Sequence, residues 1–459
     1  MGTDIIVGLD IGTTKIACFV GVRGENERVK ILGFGKTEST GVEHGVVKNV
    51  KDASEAIRRA VDEAAEQANV DIDEVWVGIA GQHIKSRPSQ GSVMIPPEHE
   101  LIEQEDVDRL TGDQYNTMLE PGEEIIHVFP QQYYVDNEAL SREVPPVGVA
   151  GKVLKADFHM VTGNVQNLQY IKLAVSRAGL KIKGVVLEPV ASAKAVLDDS
   201  DRDAGVAMVD IGGGTTDIAI FHDRIIRDTT VLPLAGNAIT NDIREGCNIL
   251  RKQAESLKVK FGSCLVQAVP ENDVISIPGI RSQAPREIYV KTLAGIINAR
   301  TKMILEQVDY VIKLSGFDKK LIAGIVLTGG GAQLKNIKEL CELITATDTR
   351  IGITNEHLEP DSVNYNELMH PMYATGIGLV LYGLEQTESK QDESGSASRK
   401  TGKGGVDIFA DMDDLPPAQP VVDQQPVAKP KKKKKNEDDS FGNAISRFFN
   451  KVFDEGIDE

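Results

Sequence analysis

Aromatic residues are scarce: twelve Phe, nine Tyr and one Trp make up 5% of 459 residues. A nucleic-acid binder built on stacking platforms needs more of them, and the charge balance points the same way. Lys and Arg number 51 against 69 Asp and Glu, a formal net charge of −18, which repels a phosphate backbone over most of the surface. No nucleic-acid partner is expected. The four cysteines (Cys18, Cys247, Cys264, Cys341) lie far apart with no CxxC spacing. That excludes a thiolate zinc centre and a dense disulfide framework, and it suits a reducing cytosol. Eight unclustered histidines offer no metal site either. No run of 18 apolar residues occurs, so no segment reads as membrane-spanning. The opening MGTDIIVGLDIGTTK places acid where a secretory signal has base. With 41% hydrophobic and 26% charged residues, what remains is a packed acidic protein; at ~100–200 residues each, two to four domains are expected.

Composition changes sharply at residue 386. Before it, short apolar runs alternate with helical patterns, the signature of an α/β protein with covered sheet faces. From 386 to 439 the chain is polar and rich in Pro, Gly and Ser, with a pentalysine at Lys431–Lys435 followed by Glu437, Asp438 and Asp439. Such a segment buries too little apolar surface to offset its ordering entropy and reads as a linker. Flexible, it reaches roughly 40 Å root-mean-square. Beyond it, Phe441, Ala444, Ile445, Phe448, Phe449, Val452 and Phe453 fall in one half of a helical wheel, with Asn443, Arg447, Asn450 and Lys451 in the other. A short amphipathic helix of this kind lies in a membrane interface or docks in a protein groove.

Two segments in the folded part echo each other: IIVGLDIGTTKIACFVGV near the start and VAMVDIGGGTTDIAIFHD some 200 residues on. Each reads as a β-hairpin with an Asp ending its first strand and a Gly/Thr turn. One copy alone is an ordinary tight turn. Two copies suggest duplicated halves and a phosphate site between them. Gly12 and Gly212, Gly213 and Gly214 allow close backbone approach, and Thr13, Thr14, Thr215 and Thr216 add hydroxyl donors. Asp10 and Asp210 would repel phosphate unless Mg²⁺ sits between, held through water. Lys15 reaches phosphate or is an exposed hairpin lysine. Three further elements fit around a nucleotide. GIVLTGGGAQLKNIKEL reads as a strand (Ile325–Leu327), a triple-Gly turn (Gly329, Gly330, Gly331) and a helix from about Ala332. Glu255 and Lys258 share a helix face at i,i+3, bracketing a nucleoside or forming a surface ion pair. Glu188 ends a strand before a Pro-opened helix, placed to orient an attacking water or to meet the helix dipole. A capping-box spacing at Asp52 and Glu55 predicts a helix over Asp52–Ala68.

In order, two phosphate hairpins, the helices in EPVASAKAVL and HPMYATGIGLVLYGLE, and the triple-Gly turn resemble the actin/hexokinase/heat-shock-chaperone ATPase superfamily. Together with IAGQHI, EEIIHVFPQQYYVD and KVLKADFHMVTG, residues 1–385 resemble the FtsA family of bacterial cell-division proteins. The resemblance implies an actin-like two-lobed α/β fold of duplicated ribonuclease-H-like lobes with two small inserted subdomains. The first lobe is 1–81 and 165–198, with an insert at 82–164. The second lobe is 199–237 and 318–385, with a partner-binding subdomain at 238–317. A disordered linker (386–439) and a membrane-targeting helix (440–455) follow. ATP and Mg are the implied cofactors, with weak or no hydrolysis. Asp10 and Asp210 serve the metal, the hairpins the phosphates, Gly236, Glu255, Lys258 and Gly329–Gly331 the nucleoside, and Glu188 the water. Implied partners are the FtsZ C-terminal peptide, further copies in a filament, an anionic membrane surface on the cytoplasmic side at the division site, and later division proteins. Phe441, Ile445, Phe448, Phe449, Val452 and Phe453 would enter the membrane. Arg286 and Arg300 match positions used near the FtsZ surface, or are ordinary solvated helix arginines. Alternatives on the same fold are a PilM-like pilus-assembly ATPase and a small-molecule kinase.

Overall fold

The strand Ile6–Ile11 is buried along its whole length, and a strand without polar alternation must be covered on both faces. It is the centre of a five-stranded sheet ordered Lys181–Leu187, Glu74–Ile79, Ile6–Ile11, Lys15–Arg23 and Val29–Glu38. The strand Val206–Ile211 is equally buried and centres a second sheet: Thr349–Ile351, Ile325–Thr328, Val206–Ile211, Thr216–His222 and Ile225–Leu232. In both, the central strand pairs antiparallel with the strand that follows it and parallel with its other neighbour. The sequence echo is therefore an echo of two whole sheets, and the fold is the two-lobed actin-like one. This computed structural model describes residues 4–25, 28–141, 144–278, 284–354 and 356–395. The linker from 396 on and the amphipathic segment at 440–455, with its phenylalanines, lie outside the described residues. Among the described residues no helix is long and apolar enough to cross a membrane.

Two helices, Glu188–Val196 and Ala374–Gly395, pack between the sheets. Their contact needs small residues. A Cβ on Gly378 would lie 1.8 Å from the Ala191 carbonyl oxygen, and one on Gly376 would lie 1.9 Å from the Phe19 ring. Phe19, Phe34 and Tyr373 fill the adjoining core, with ring centroids 5.1–6.2 Å apart. Gly378→Ala should force the two helices apart and cost about 1–3 kcal/mol, as overpacking does; a thermal melt unchanged from the parent would contradict this packing.

Three boundaries differ from the sequence reading. The first helix runs Val50–Ala68, capped by Asn49, whose side chain accepts the Lys51 and Asp52 amides; Asp52 is a first-turn residue, not the cap. After the triple-Gly turn comes a short 3₁₀ segment, Gly330–Gln333, and the α-helix starts only at Ile337. The last helix continues past Glu385 to Gly395, because Thr, Glu, Ser, Lys and Gln do not break a helix already nucleated by packing.

Between residues 82 and 164, strands Lys85–Met94, Val153–Asn164 and Glu123–Val135 form an antiparallel sheet, with helix Gln104–Tyr115 over a separate core of Ile102, Leu110, Leu154, Phe158 and Met160. This insert touches both lobes. His127 Nε2 accepts the Leu187 amide at 3.1 Å, while Ser86 donates to the Thr229 carbonyl at 2.6 Å and Gln131 to that of Ile226 at 2.7 Å. On the second lobe, helices Gly236–Cys247, Arg251–Phe261 and Val290–Leu314 pack on one another beside a hairpin, Val274–Ile277 with Arg286–Tyr289.

Candidate functional site

Both hairpins end at equivalent register positions. Ile11 faces Ile16 and Ile211 faces Thr216, so Asp10 and Asp210 are each the penultimate residue of their strand, not the last. The turns meet tip to tip across the lobes. A Cβ on Gly213 would lie 2.0 Å from Thr14 Oγ1, and one on Gly214 2.6 Å from Thr13 Oγ1. Only glycine lets the tips come this close. Asp10 and Asp210 are 5% and 8% exposed.

Each carboxylate is held differently. Lys15 Nζ stands 3.7 Å from Asp10, donates to the Met372 carbonyl at 2.6 Å and lies over the Tyr373 ring; it is half-buried in the cleft rather than an exposed hairpin lysine. Asp210 Oδ2 accepts from Ser192 at 2.7 Å and Thr375 at 3.3 Å, one hydroxyl from each crossing helix. Directly across the hairpin from Asp210 is Asp217, which accepts from Thr215 at 2.9 Å. Its other oxygen, Oδ1, is buried without a partner among the described residues. Glu188, the first residue of its helix, completes the group.

Burial pushes all four acids up. For Glu188, burial is reinforced by the charges of Asp10, Asp217 and Asp210, and Lys15 only partly opposes them. Burial raises Asp10 against the pull of Lys15, and Asp210 against the Ser192 hydroxyl. Asp217 rises to about 8 through burial and the Asp210 charge. Four carboxyls that resist ionisation together are a site in want of positive charge. Among the described residues no three metal-ligating side chains converge closely enough to hold an ion directly. An all-oxygen set of carboxyls and hydroxyls of this kind fits a hard cation, as Mg²⁺ is.

Asp217 gives a testable sign. Its folded-state value stands above its ordinary 3.8, so its contribution to stability is full at low pH and is lost as pH rises toward about 8. Without nucleotide or metal, Asp217→Asn should flatten the decline in stability between pH 4 and 8 by up to about 1.4 kcal/mol per pH unit. Parallel denaturation curves for parent and variant would contradict the assignment.

The hairpins open onto a cavity of about 720 Å³. Asp10, Gly12, Thr13, Thr14, Lys15, Glu188, Asp210, Gly212, Gly213, Gly214, Thr215, Gly236, Glu255, Lys258, Gly329, Gly330 and Gly331 all line it. Thr216 does not; it is fully buried and donates to the Leu234 carbonyl at 2.7 Å. Lys258 pairs with Glu255 at 2.8 Å and donates to the Gly236 carbonyl at 3.0 Å and to Thr240 at 2.8 Å. That pair is thus built into the cavity wall rather than lying loose on the surface. Val259, Phe261, Pro270 and Leu334 add apolar lining. Asp217, Ser192, Thr375 and Gly45 were not singled out from the sequence. Asp217 was legible there, since pairing of the second hairpin puts it opposite Asp210; the others come from packing between distant segments.

Arg286 and Arg300 do not join this site. Arg286 lies on a strand, not a helix, and donates to the carbonyls of Cys247 (2.7 Å) and Asn248 (2.6 Å) at the end of helix Gly236–Cys247. Arg300 forms a bidentate pair with Asp242 at 2.6 and 3.0 Å. Both guanidinium groups have partners inside their own subdomain.

Comparison with known proteins finds matches over most of the chain. Residues 207–378 match the family described as "Cell division protein FtsA", and residues 81–162 match the "SHS2 domain inserted in FTSA". The cell division protein FtsA of Pseudomonas aeruginosa is 35% identical over 396 residues, covering 86% of this chain and 93% of that protein. FtsA of Escherichia coli K12 is 32% identical over 392 residues, covering 83% and 90%. Among solved structures, a "PilM-PilN type IV pilus biogenesis complex" aligns with a TM-score of 0.59 at 15% identity, covering 83% of this chain and 99% of that one. At that identity the likeness is one of fold.

Proposed function

This chain belongs to the FtsA family and is an actin homologue of bacterial cell division, and from that premise we propose that it binds ATP with magnesium, polymerises, and anchors the FtsZ ring to the inner face of the membrane. The observation that carries the nucleotide part is the meeting of two acidic hairpins, one from each lobe, at the mouth of one cavity. The triphosphate would be held along Gly12–Thr14 and Gly213–Gly214, by the backbone amides there and the hydroxyls of Thr13 and Thr14. The nucleoside extends toward Gly236, Glu255, Lys258 and Gly329–Gly331. Bound Mg²⁺ supplies the charge neutralisation that phosphate needs beside Asp10 and Asp210. Glu188 faces the same space and orients water, so any hydrolysis depends on it.

Anchoring follows from the tail. One short amphipathic helix is a weak anchor, and a filament presents many at once, so polymer and membrane binding reinforce each other. The subdomain at 238–317 takes the FtsZ peptide. Because Arg286 and Arg300 already have internal partners, an acidic peptide must compete for them or bind beside them. The test is vesicle flotation. Full-length chain with ATP should carry FtsZ filaments upward with anionic vesicles; FtsZ left at the bottom with the chain present would contradict the anchoring role.

A further inference from the structure

A second cavity, of about 320 Å³, lies where three parts of the fold meet, and it shares no lining residue with the first. Phe129 and Pro130 of the insert, Val190 of the crossing helix, and Phe221 and Ile226 of the second lobe give it apolar walls. Its charged lining residues are Lys194, Arg202 and Arg224, with no acid among them, in a chain whose net charge is −18. Two of these cations are engaged locally. Lys194 pairs with Glu385 of the last helix, and Arg202 donates to the Ala193 and Leu197 carbonyls at 3.1 and 3.3 Å. Arg224 is held differently. With Asp223 it forms the two-residue turn between strands Thr216–His222 and Ile225–Leu232, at φ of +61° and +54° respectively. Such a turn is normally filled by Asn-Gly, and an arginine in the left-handed region is uncommon. The backbone there is pinned, since the Asp223 and Arg224 amides donate to the Asp203 and Arg202 carbonyls at 3.3 and 3.0 Å. The Arg224 ion pair with Asp203, at 3.6 Å, joins two largely exposed side chains and contributes little. A strained backbone that presents a loosely partnered guanidinium beside an apolar pocket points to recognition.

The chain itself carries a matching segment. Residues 406–415, VDIFADMDDL, hold four Asp and no base, and Phe409 is the one aromatic residue between 386 and 439. Acids interspersed with large apolar side chains complement apolar walls beside three cations. The chain is also long enough to reach. Glu385, the partner of Lys194, stands ten residues before the last helix ends at Gly395, about 15 Å along its axis. The next ten residues, SASRKTGKGG, are rich in Gly and Ser; such a stretch spans roughly 17 Å root-mean-square and about 33 Å when extended. We propose that this pocket is a dock for an acidic apolar peptide and that residues 406–415 of the same chain occupy it, with Phe409 against the apolar walls and the aspartates beside Arg224. Docking cuts the free tether from residues 396–439 to residues 416–439, a root-mean-square reach of roughly 27 Å in place of roughly 37 Å. The folded body is then held closer to whatever the final helix binds. That consequence rests on the anchoring role proposed above; the docking does not.

The test is photo-cross-linking of the full chain, without vesicles and at low micromolar concentration. With p-benzoylphenylalanine in place of Phe409, peptide mapping should find links within one chain to the pocket walls, at Phe129, Val190 or Phe221. The same probe in place of Val421, beyond the segment, should give no links there. Arg224→Gly keeps the left-handed backbone without steric cost and removes only the side chain, so the melting temperature should not fall. The yield of links from position 409 should nevertheless drop by roughly threefold to tenfold, the scale of losing one hydrogen bond to a charged group. Links only between chains, links elsewhere on the body, no links at all, equal links from position 421, or a yield indifferent to Arg224→Gly would each overturn the docking. A parent chain that fails to bind vesicles would remove the anchoring role and leave these links in place, so the two readings fail separately.

Discussion

Replacing Asp10 and Asp210 together by Asn should remove the dependence of ATP binding on magnesium. Both carboxyls are buried at the hairpin ends, and each neutral oxygen that replaces a charged one weakens its hold on the ion's water shell. Hydrogen bonds to charged groups contribute about 1.5–3 kcal/mol each, so two losses predict a decrease in affinity of roughly a hundredfold or more with magnesium present. The opposite sign is expected with the metal chelated. There the parent's carboxylates repel the phosphates, and the double variant lacks that repulsion, so it should bind free ATP at least as well as the parent. A simple folding defect would lower both affinities. Calorimetry in magnesium and in chelator distinguishes the two, and a variant that keeps its full magnesium response would show that these acids do not serve the metal.

A chain ending at Gly395 should lose its affinity for vesicles while keeping its affinity for nucleotide. Gly395 is the right place to stop because the last helix packs on the core and runs that far. The removed segment carries four phenylalanines in SFGNAISRFFNKVFDEGIDE. Each buried Phe stabilises by up to ~1.5–3 kcal/mol, part of it offset by ordering a helix that is marginal in water. A drop of roughly a thousandfold or more in vesicle partitioning follows. The pentalysine adds up to ~1 kcal/mol per residue at an anionic leaflet, reduced by the three acids just after it, so binding by the full chain should also fall with salt. Co-sedimentation that persists without residues 396–459 would place the membrane contact on the folded body instead.

The duplicated architecture was legible because it is written in short-range signals. An Asp before a Gly/Thr turn, flanked by apolar runs, is local information, and finding it twice fixed two hairpins and implied two sheets. The connecting helices were legible only through the resemblance that EPVASAKAVL and HPMYATGIGLVLYGLE carry to the superfamily. What could not be read was set by long-range packing. The 3₁₀ segment at Gly330–Gln333 delays its helix to Ile337 because the chain there is held by Cys264, whose amide donates to the Lys335 carbonyl at 2.8 Å. Arg286 and Arg300 looked available because their partners, Asn248 and Asp242, lie far off in sequence. The His44–Gly45 pair, between Glu43 and Val46, reads in the sequence as a surface turn; in the structure it touches both phosphate hairpins, through Gly214 and Thr13. Thr216 shows the converse: it shares a motif with Thr215, but strand alternation turns it inward, away from the cavity.

The whole account depends on both lobes gripping one ligand. Its most direct test is a crystal grown with magnesium and a non-hydrolysable ATP analogue. The phosphates should lie between Gly12–Thr14 and Gly212–Thr215, with the ion a water's width from Asp10 and Asp210. A nucleotide bound elsewhere, or an ion remote from both aspartates, would contradict the claim that the paired hairpins form a magnesium-nucleotide site.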